Sequence, residues 1–409
     1  RAVVGLVCMG LAPSEAGTMV EGIVAPGFED VRQEFERNFA ERRELGAACA
    51  AYVEGEKVVD LWGGVRDARF GAPWEEDTLV LVYSTSKGLA AMTLALAHSR
   101  GWLDYDERVE TYWPEFAQAG KAAVTVRQLL GHEAGLPVVD EPLNPKLLAD
   151  FDRLADAIAS QPPAWRPGTR HGYHGVSLGW YEGELIRRVD PQRRTLGRFF
   201  AEEIAEPLGL EVFFGVPKDF PSRRLARIER VRAWRALPQA RDLPPTMALS
   251  MLRPGSLSRR TFANPRFRRP ADLDRAEYRS VEFPAGGAVG GARDIARAYA
   301  AFAAHPPELG LSSDTLHELT RFPTPPRFGW RDEVLKVDTA FSLGFARPLG
   351  DFRFGSSQRA FGHPGAGGSF GFADPERQVS FAYVMNRMGF RIVDDPREKA
   401  LRDALYGCL

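Results

Sequence analysis

Two serines in this chain stand in patterns that are typical of acyl-transfer chemistry. Ser84 is followed three residues later by Lys87, in the stretch VYSTSKGL. Ser177 lies in GVSLG, which fits the G-x-S-x-G pattern of a nucleophile elbow. One active site uses one serine nucleophile, so the choice between them decides the general base and the fold.

The residues before Ser177 argue against a nucleophile at that position. An elbow serine needs a strand before it and a helix after it. The segment 161–172 contains Pro162, Pro163 and Pro167, and proline is disfavoured in a central strand. We therefore expect Ser177 to be a structural serine in the first turns of a helix.

Ser84 has the context that Ser177 lacks, because a strand-like apolar run, 79–83, precedes it. An Ala- and Leu-rich helix is predicted to follow it as far as Arg100. Residues i and i+3 share a helical face, so the Lys87 amine is expected one turn above the Ser84 hydroxyl. A lysine with a lowered pKa can activate a serine. A capping serine beside a surface lysine would give the same spacing, so the motif alone leaves both interpretations open.

The order of helix and strand patterns predicts an α+β fold. The chain has 409 residues, of which 44% are hydrophobic and 26% charged, enough for a large core and more than one lobe. Strand and helix patterns near both ends predict one lobe with a sheet flanked by helices, from residues 19–83 and 284–409. The Pro- and Arg-rich residues 84–283 read as an all-helical inserted lobe. We expect the active site between the lobes. The predicted elements outside the insert are a helix at 28–45, strands at 47–53, 57–62, 341–347, 369–373 and 379–386, and helices from 294 and over 397–406.

Several other classes of function find little support in the sequence. The net charge is −1, so the chain has no overall positive charge that would attract a nucleic acid. The Arg-rich stretches 223–235 and 253–269 are interleaved with apolar residues and read as solvated faces. The Gly-rich run 286–291 lacks phosphate-loop spacing. His132 has no recurring ligand pattern around it, so we expect packing rather than a metal.

The first residues and the cysteines bear on localisation. Residues 1–18 precede ordinary globular sequence, and their apolar part is too short to span a bilayer. We expect this extension to be vector sequence or a signal-peptide remnant. The three cysteines are far apart, which favours a reducing, cytoplasmic compartment. The protein would be exported if residues 1–18 were a signal remnant.

We expect no metal, cofactor, nucleic-acid or membrane partner, and a small-molecule ester as substrate.

From about Phe28 onward the chain resembles the serine β-lactamase and penicillin-binding-protein superfamily. It is most similar to the class C β-lactamase-like branch that includes the family VIII carboxylesterases. This resemblance implies the class C β-lactamase-like fold, with an antiparallel sheet flanked by helices. Besides S-T-S-K at Ser84, the motifs that carry the resemblance are LLGHEAGLP at 129–137, WRPGT at 165–169 with Tyr173, FGHPGAGG at 361–368, FADPE at 372–376 and YVMNR at 383–387.

The resemblance implies roles for three side chains and two backbone amides. Ser84 is the implied acyl-forming nucleophile, Lys87 the base or proton relay, and Tyr173 the group that exchanges a proton with Ser84 and the leaving group. The backbone N–H groups of Ser84 and Ala366 are the implied oxyanion hole.

His363 and Gly365 are the implied supporting residues of the site. A phenol is a base at neutral pH only if cations lower its pKa. We therefore expect Lys87 to lower the pKa of Tyr173, with His363 acting on the same network if it is charged. The glycines around Gly365 are expected to let substrate approach the strand closely.

Two departures from the branch's motifs favour ester over β-lactam substrates. The chain reads Tyr173-His174-Gly175 where β-lactamases have Tyr-x-Asn, and His363-Pro364-Gly365 where they have Lys-Thr-Gly. We therefore expect a carboxylesterase for short-chain esters. The alternatives are a β-lactamase, a D-aminopeptidase or another amide hydrolase or acyltransferase of the same fold, and less readily a catalytically silent binding protein.

Overall fold

The computed structural model describes residues 19–229, 243–267, 270–303 and 309–409. The expected extension 1–18 and part of the Arg-rich stretches lie outside the described residues. The strands are β1 (Val20–Val24), β2 (Gly46–Val53), β3 (Glu56–Asp67), β4 (Ala72–Pro73), β5 (Val80–Leu81), β6 (Val212–Phe214), β7 (Ala288–Gly290), β8 (Ala340–Ser342), β9 (Phe345–Arg347), β10 (Phe361–Pro364), β11 (Phe370–Asp374) and β12 (Val379–Met385).

Helices fill the middle of the chain and flank the strands. They are α1 (Glu29–Ala40), α2 (Thr85–Ser99), α3 (Val109–Tyr112), α4 (Val126–Leu130), α5 (Pro145–Leu148), α6 (Phe151–Ser160), α7 (Leu178–Val189), α8 (Leu196–Phe200), α9 (Glu206–Leu208), α10 (Pro245–Leu252), α11 (Leu257–Phe262), α12 (Ala276–Arg279), α13 (Ala292–Ala303), α14 (Ser313–Thr320) and α15 (Pro396–Gly407).

The main sheet is antiparallel and joins strands from both ends of the chain. Its order over the described residues is β1-β3-β2-β12-β11-β10-β9-β8, with β4 paired to β3. Helices α1 and α15 pack together on one face, and α13 lies across β2, β11 and β12 on the other. The fold is therefore α+β, with an antiparallel sheet flanked by helices, as predicted.

Two tight hairpins show how local residues set the register of this sheet. Glu54 and Gly55 both have positive φ, 50° and 84°, and they join β2 to β3 at the predicted turn. Leu343 and Gly344 also have positive φ, 52° and 86°, and they join β8 to β9. The single strand predicted at 341–347 was therefore wrong, because its alternating pattern continues through a turn at Gly344.

A second, three-stranded sheet connects the nucleophile region to the rest of the fold. Its order is β5-β7-β6, so a strand of the predicted insert, β6, pairs with β7. The division into a lobe of residues 19–83 and 284–409 and an insert of residues 84–283 stays a prediction. Helix α2 starts just after β5 and is buried from Thr85 to Ala97, so its apolar composition places it in the core.

Candidate active site

Ser84 stands at the start of α2 on a tightly held turn. The preceding residue, Tyr83, has φ 49°, a left-handed conformation that costs a non-glycine residue about 1–3 kcal/mol. Two hydrogen bonds to the backbone of Val82 hold this turn. The Val82 N–H donates to Ala288 O at 3.0 Å, and the Ser369 hydroxyl donates to Val82 O at 2.7 Å. The sequence predicted the strand-to-helix placement but not the strained residue before the serine.

Lys87 lies one turn further along α2, with its amine directed at Ser84. Its Nζ lies 3.3 Å from Ser84 Oγ, 2.7 Å from Gly175 O and 2.6 Å from Ala285 O. A carbonyl can only accept, so the two short contacts each take one N–H of the amine. The third direction, toward Ser84, is then free for a lone pair when the amine is neutral.

The surroundings of Lys87 favour the neutral amine. Its side chain is fully buried, and burial lowers its pKa to about 7, while the nearby Glu182 carboxyl opposes that shift. A substantial fraction of Lys87 is therefore unprotonated at neutral pH. This is the protonation state that a general base requires.

Tyr173 lies beside Ser84, whose side chain acts to lower the tyrosine pKa. The Lys87 amine lies 4.8 Å from the centre of the tyrosine ring. The structure therefore brings the three predicted side chains together. The expected lowering of the Tyr173 pKa was wrong, because burial raises that pKa well above its ordinary value and outweighs the opposing effect of Ser84. Tyr173 is thus a neutral phenol that can donate a proton.

His363 is uncharged, which decides the condition that the sequence left open. Burial and the nearby Lys87 lower its pKa to about 3, so the ring is neutral. Its Nδ1 lies 2.7 Å from Pro364 O, which can only accept, so the proton is on Nδ1. His363 therefore presents an uncharged ring, stacked 5.9 Å from Tyr173 between ring centres, and supplies no cation.

A buried carboxylate holds the backbone of Tyr173. Asp332 is completely buried, and its two carboxyl oxygens accept the Tyr173 N–H at 3.2 and 3.0 Å. The same carboxylate accepts the N–H groups of Val334 and Leu335, each at 2.7 Å, and the Thr339 hydroxyl at 3.1 Å. It therefore ties the tyrosine to the segment that forms one wall of the cleft.

A histidine pair holds the next residue of the same loop. The His174 Nε2 accepts the Leu136 N–H at 2.8 Å, so its proton is on Nδ1, which lies 3.1 Å from His132 Nδ1. His132 Nδ1 is then an acceptor, and it also accepts the His174 N–H at 3.0 Å. His132 thus packs in the core as expected and contacts the tyrosine loop.

The two expected oxyanion-hole amides belong to residues that line the cleft. Neither the Ser84 N–H nor the Ala366 N–H donates to another group of the described chain. The adjacent Gly365 N–H is occupied, because it donates to Ser369 O at 2.7 Å. Both amides are therefore available to an oxygen atom of a bound molecule.

The glycines of this loop have a packing role that the sequence did not predict. A Cβ atom on Gly365 would lie 2.5 Å from Val82 O and 2.2 Å from Ser369 Oγ. One on Gly367 would lie 2.4 Å from the Met385 Cε. These glycines therefore allow the end of β10 to pack against the nucleophile turn and β12. Both also line the cleft, and close approach of substrate to them stays a prediction.

A cleft of about 1940 Å³ opens in front of Ser84 and Tyr173. Its apolar walls come from three parts of the chain, namely the insert, the segment 335–352 and the segment 388–394. The wall residues that matter here are Met247, Phe262, Leu335, Phe341, Phe352 and Ile392. The sequence predicted a site between the lobes and did not identify the contributions of the two later segments.

Ser177 has a structural environment, as predicted. It is buried, it immediately precedes α7, and its hydroxyl donates to Leu136 O at 2.7 Å. Among the described residues, Ser84 lines the cleft and Ser177 does not.

Within the described ranges, no group of three or more His, Cys, Asp or Glu side chains could hold a metal ion. No helix among them is long and apolar enough to cross a bilayer.

Sequence reasoning missed Asp332 and Glu182. Asp332 lies in a mixed polar segment and gives no local signal. Glu182 gives one, because it shares the buried face of α7 with Leu178, Leu185 and Ile186, where a carboxylate is unexpected. Both of its oxygens are buried without a partner among the described residues, and burial raises its pKa to about 8.

Comparisons with known proteins agree on one family. The family described as Beta-lactamase matches residues 31–405. The Mycobacterium tuberculosis protein Esterase/beta-lactamase LipL is 32% identical over 380 residues, 91% of this chain and 84% of that protein. A crystal structure of a family VIII carboxylesterase is 36% identical, with a TM-score of 0.82, and the match covers 96% of this chain and 100% of that one. A penicillin-binding protein homologue from Caulobacter crescentus has the same identity and coverages and a TM-score of 0.81.

Proposed function

This chain belongs to the Beta-lactamase family, and on that premise we propose that it is a serine carboxylesterase for short-chain esters. The acyl group of the substrate would be carried on Ser84. The observation that carries the proposal is the position of the Lys87 amine, between two carbonyl acceptors and the Ser84 hydroxyl. The names of the relatives LipL and the family VIII carboxylesterase support ester substrates.

In the acylation step, the neutral Lys87 amine takes the proton of the Ser84 hydroxyl. The serine oxygen forms a bond to the ester carbonyl carbon, and the carbonyl electron pair moves onto its oxygen. The backbone N–H groups of Ser84 and Ala366 stabilise that negative charge. As the carbonyl re-forms and the ester C–O bond breaks, Tyr173 gives its proton to the departing alkoxide, and the protonated Lys87 then gives its proton to the Tyr173 oxygen.

In the deacylation step, water takes the place of the alcohol. The Lys87 and Tyr173 pair accepts a proton from that water, whose oxygen attacks the acyl carbon. The bond to Ser84 then breaks, and the proton returns to the serine oxygen. Both steps use the same groups, so no metal or cofactor enters the reaction.

A β-lactamase is the second candidate, because LipL is named both an esterase and a β-lactamase. A β-lactam acylates a serine by the same proton transfers as an ester. D-Aminopeptidase, other amidase or acyltransferase activity would use the same groups. A catalytically silent binding protein would not need a buried lysine directed at a serine.

The proposal is tested by replacing the two candidate serines one at a time. We expect Ser84→Ala to abolish hydrolysis of p-nitrophenyl esters and Ser177→Ala to keep most of it, because the Ser177 hydroxyl donates to a backbone carbonyl, Leu136 O, and does not line the cleft. The measurement is kcat/KM over a series of acyl-chain lengths, with thermal melting as the check on folding. Full activity of a folded Ser84→Ala protein would rule the proposal out.

A further inference from the structure

Arg397 is buried in the first turn of α15, beneath the loop that follows β10. Its Nη2 donates to Gly367 O at 2.7 Å. The Nε and Nη2 groups also donate to the two oxygens of Asp395, each at 2.9 Å. Nη1 donates to Arg387 O at 2.8 Å and to Glu44 Oε2 at 3.1 Å. The guanidinium is therefore fixed in position by four residues.

The carbonyl that Arg397 holds belongs to the residue after Ala366. This carbonyl of Gly367 also accepts the Gly389 N–H at 2.9 Å. Close packing reinforces the contact, since a Cβ atom on Gly389 would lie 2.1 Å from Asp395 Oδ2, and one on Gly368 would lie 2.8 Å from it. The loop is thus held by Gly389, which lines the cleft, and by Arg397 and Asp395, which do not.

Fixing the Gly367 carbonyl restricts the backbone around Ala366. Oxyanion donors stabilise a transition state only if they already point at the developing charge. Buried ion pairs are often no more stabilising than apolar residues of similar volume, so stability alone is a weak reason for this cluster. We propose that Arg397 is a positioning residue that keeps the Ala366 N–H directed into the cleft. This inference rests on the proposed function.

The test separates oxyanion stabilisation from folding. Wild type, Arg397→Lys and Arg397→Met are compared for kcat and KM on p-nitrophenyl butyrate and for inhibition by butyl trifluoromethyl ketone. With this ketone, the Ser84 oxygen bonds to the carbonyl carbon, the serine proton passes to Lys87, and the ketone oxygen becomes an anion in the hole. Tyr383→Phe is the matched control, because the Tyr383 hydroxyl donates to Glu44 in the same cluster but does not contact Gly367.

We expect both Arg397 variants to lower kcat by about 10- to 100-fold, with the affinity for the ketone falling by the same factor. KM should change little, and Tyr383→Phe should alter only the melting temperature.

Unchanged kcat and ketone affinity in a folded Arg397 variant would overturn the inference. If Arg397→Met does not fold, Arg397→Lys decides alone, since it keeps the charge but loses the planar fork. An inactive wild-type enzyme would instead count against the proposed function.

Discussion

At the scale of single residues, the proposed chemistry depends on the protonation state of Lys87. Its two carbonyl contacts leave one direction of the amine toward Ser84, and burial lowers its pKa to about 7. Tyr173 and His363 are both uncharged, so no second cation lies with Lys87 among these site residues. The amine, rather than the phenol, is the group that can accept the serine proton at neutral pH.

The activity should therefore depend on pH through this amine. A base works in its deprotonated form, so kcat/KM should rise as the pH increases through about 7 and then level off. Lys87→Arg should be as inactive as Lys87→Ala, because arginine stays protonated. The measurement is kcat/KM for p-nitrophenyl butyrate from pH 5 to 9, corrected for spontaneous hydrolysis. Near-normal kcat in Lys87→Arg would mean that only a positive charge is needed.

At the scale of elements, helix α7 brings a buried carboxyl group close to Lys87 on α2. Glu182 has a raised pKa of about 8 against an ordinary 4.5, so folding disfavours its ionised form. The contribution of this group to stability is fully present below about pH 4.5 and is lost as the pH rises through about 8. Burial of the Glu182 carboxyl group therefore lowers the free energy of unfolding in neutral and alkaline solution.

Replacing that carboxyl group with an amide should stabilise the protein in a pH-dependent way. Glu182→Gln should raise the free energy of unfolding by about 2 kcal/mol at pH 8, with a smaller gain toward pH 5. Thermal or urea unfolding across this range measures the difference. Glu184→Gln, which breaks a partly exposed pairing with Arg187 and Arg188, is the control and should give no such gain. A constant difference at every pH would contradict the assignment.

The turn around Asp332 is the second element on which the site depends. Asp332→Asn replaces a carboxylate oxygen that accepts the Tyr173 N–H with a group that is itself a donor in one orientation. We expect kcat to fall at least about tenfold, because small displacements of a catalytic group are costly. The neighbouring Glu333→Gln, which removes a more exposed ion pair with Arg170, should leave kcat unchanged. Equal kinetics in these two variants would show that Asp332 has no positioning role.

The sequence could predict only those parts of this site whose residues lie close together along the chain. Ser84 and Lys87 are one helical turn apart, so spacing alone brings them together. The contacts of Asp332 with Tyr173 and of Arg397 with Gly367 join residues 159 and 30 positions apart, and no periodicity reports them. The charge states of Tyr173 and His363 depend on burial. The sequence pattern therefore predicted the wrong direction for the pKa shift of Tyr173.

The same distinction holds for the fold. The hairpin at Glu54 and Gly55 was predicted because its turn residues stand between two clear strand patterns. The hairpin at Gly344 was missed because its strands are only three residues long. The predicted helix at α2 and the final helix at α15 were confirmed, since their apolar patterns are long.

At the scale of the whole molecule, several distant parts of the chain form the cleft, and its shape determines which acyl compounds fit. The Lys87, Tyr173 and backbone donors would serve an ester and a β-lactam equally. A β-lactam also needs groups that hold its side-chain amide and its carboxylate. Gly175 offers no side chain, and its carbonyl is taken by Lys87. Pro364 has no N–H or hydroxyl, and His363 is neutral.

We therefore expect short-chain esters to be hydrolysed much faster than β-lactams. Poor positioning of a substrate costs about a hundredfold in rate, so kcat/KM for p-nitrophenyl butyrate should exceed that for nitrocefin and benzylpenicillin by at least about that factor. The values are measured on one preparation, with Ser84→Ala as the blank for both substrate classes. A β-lactam value equal to the ester value would mean that residues of the 335–352 or 388–394 walls supply the missing contacts.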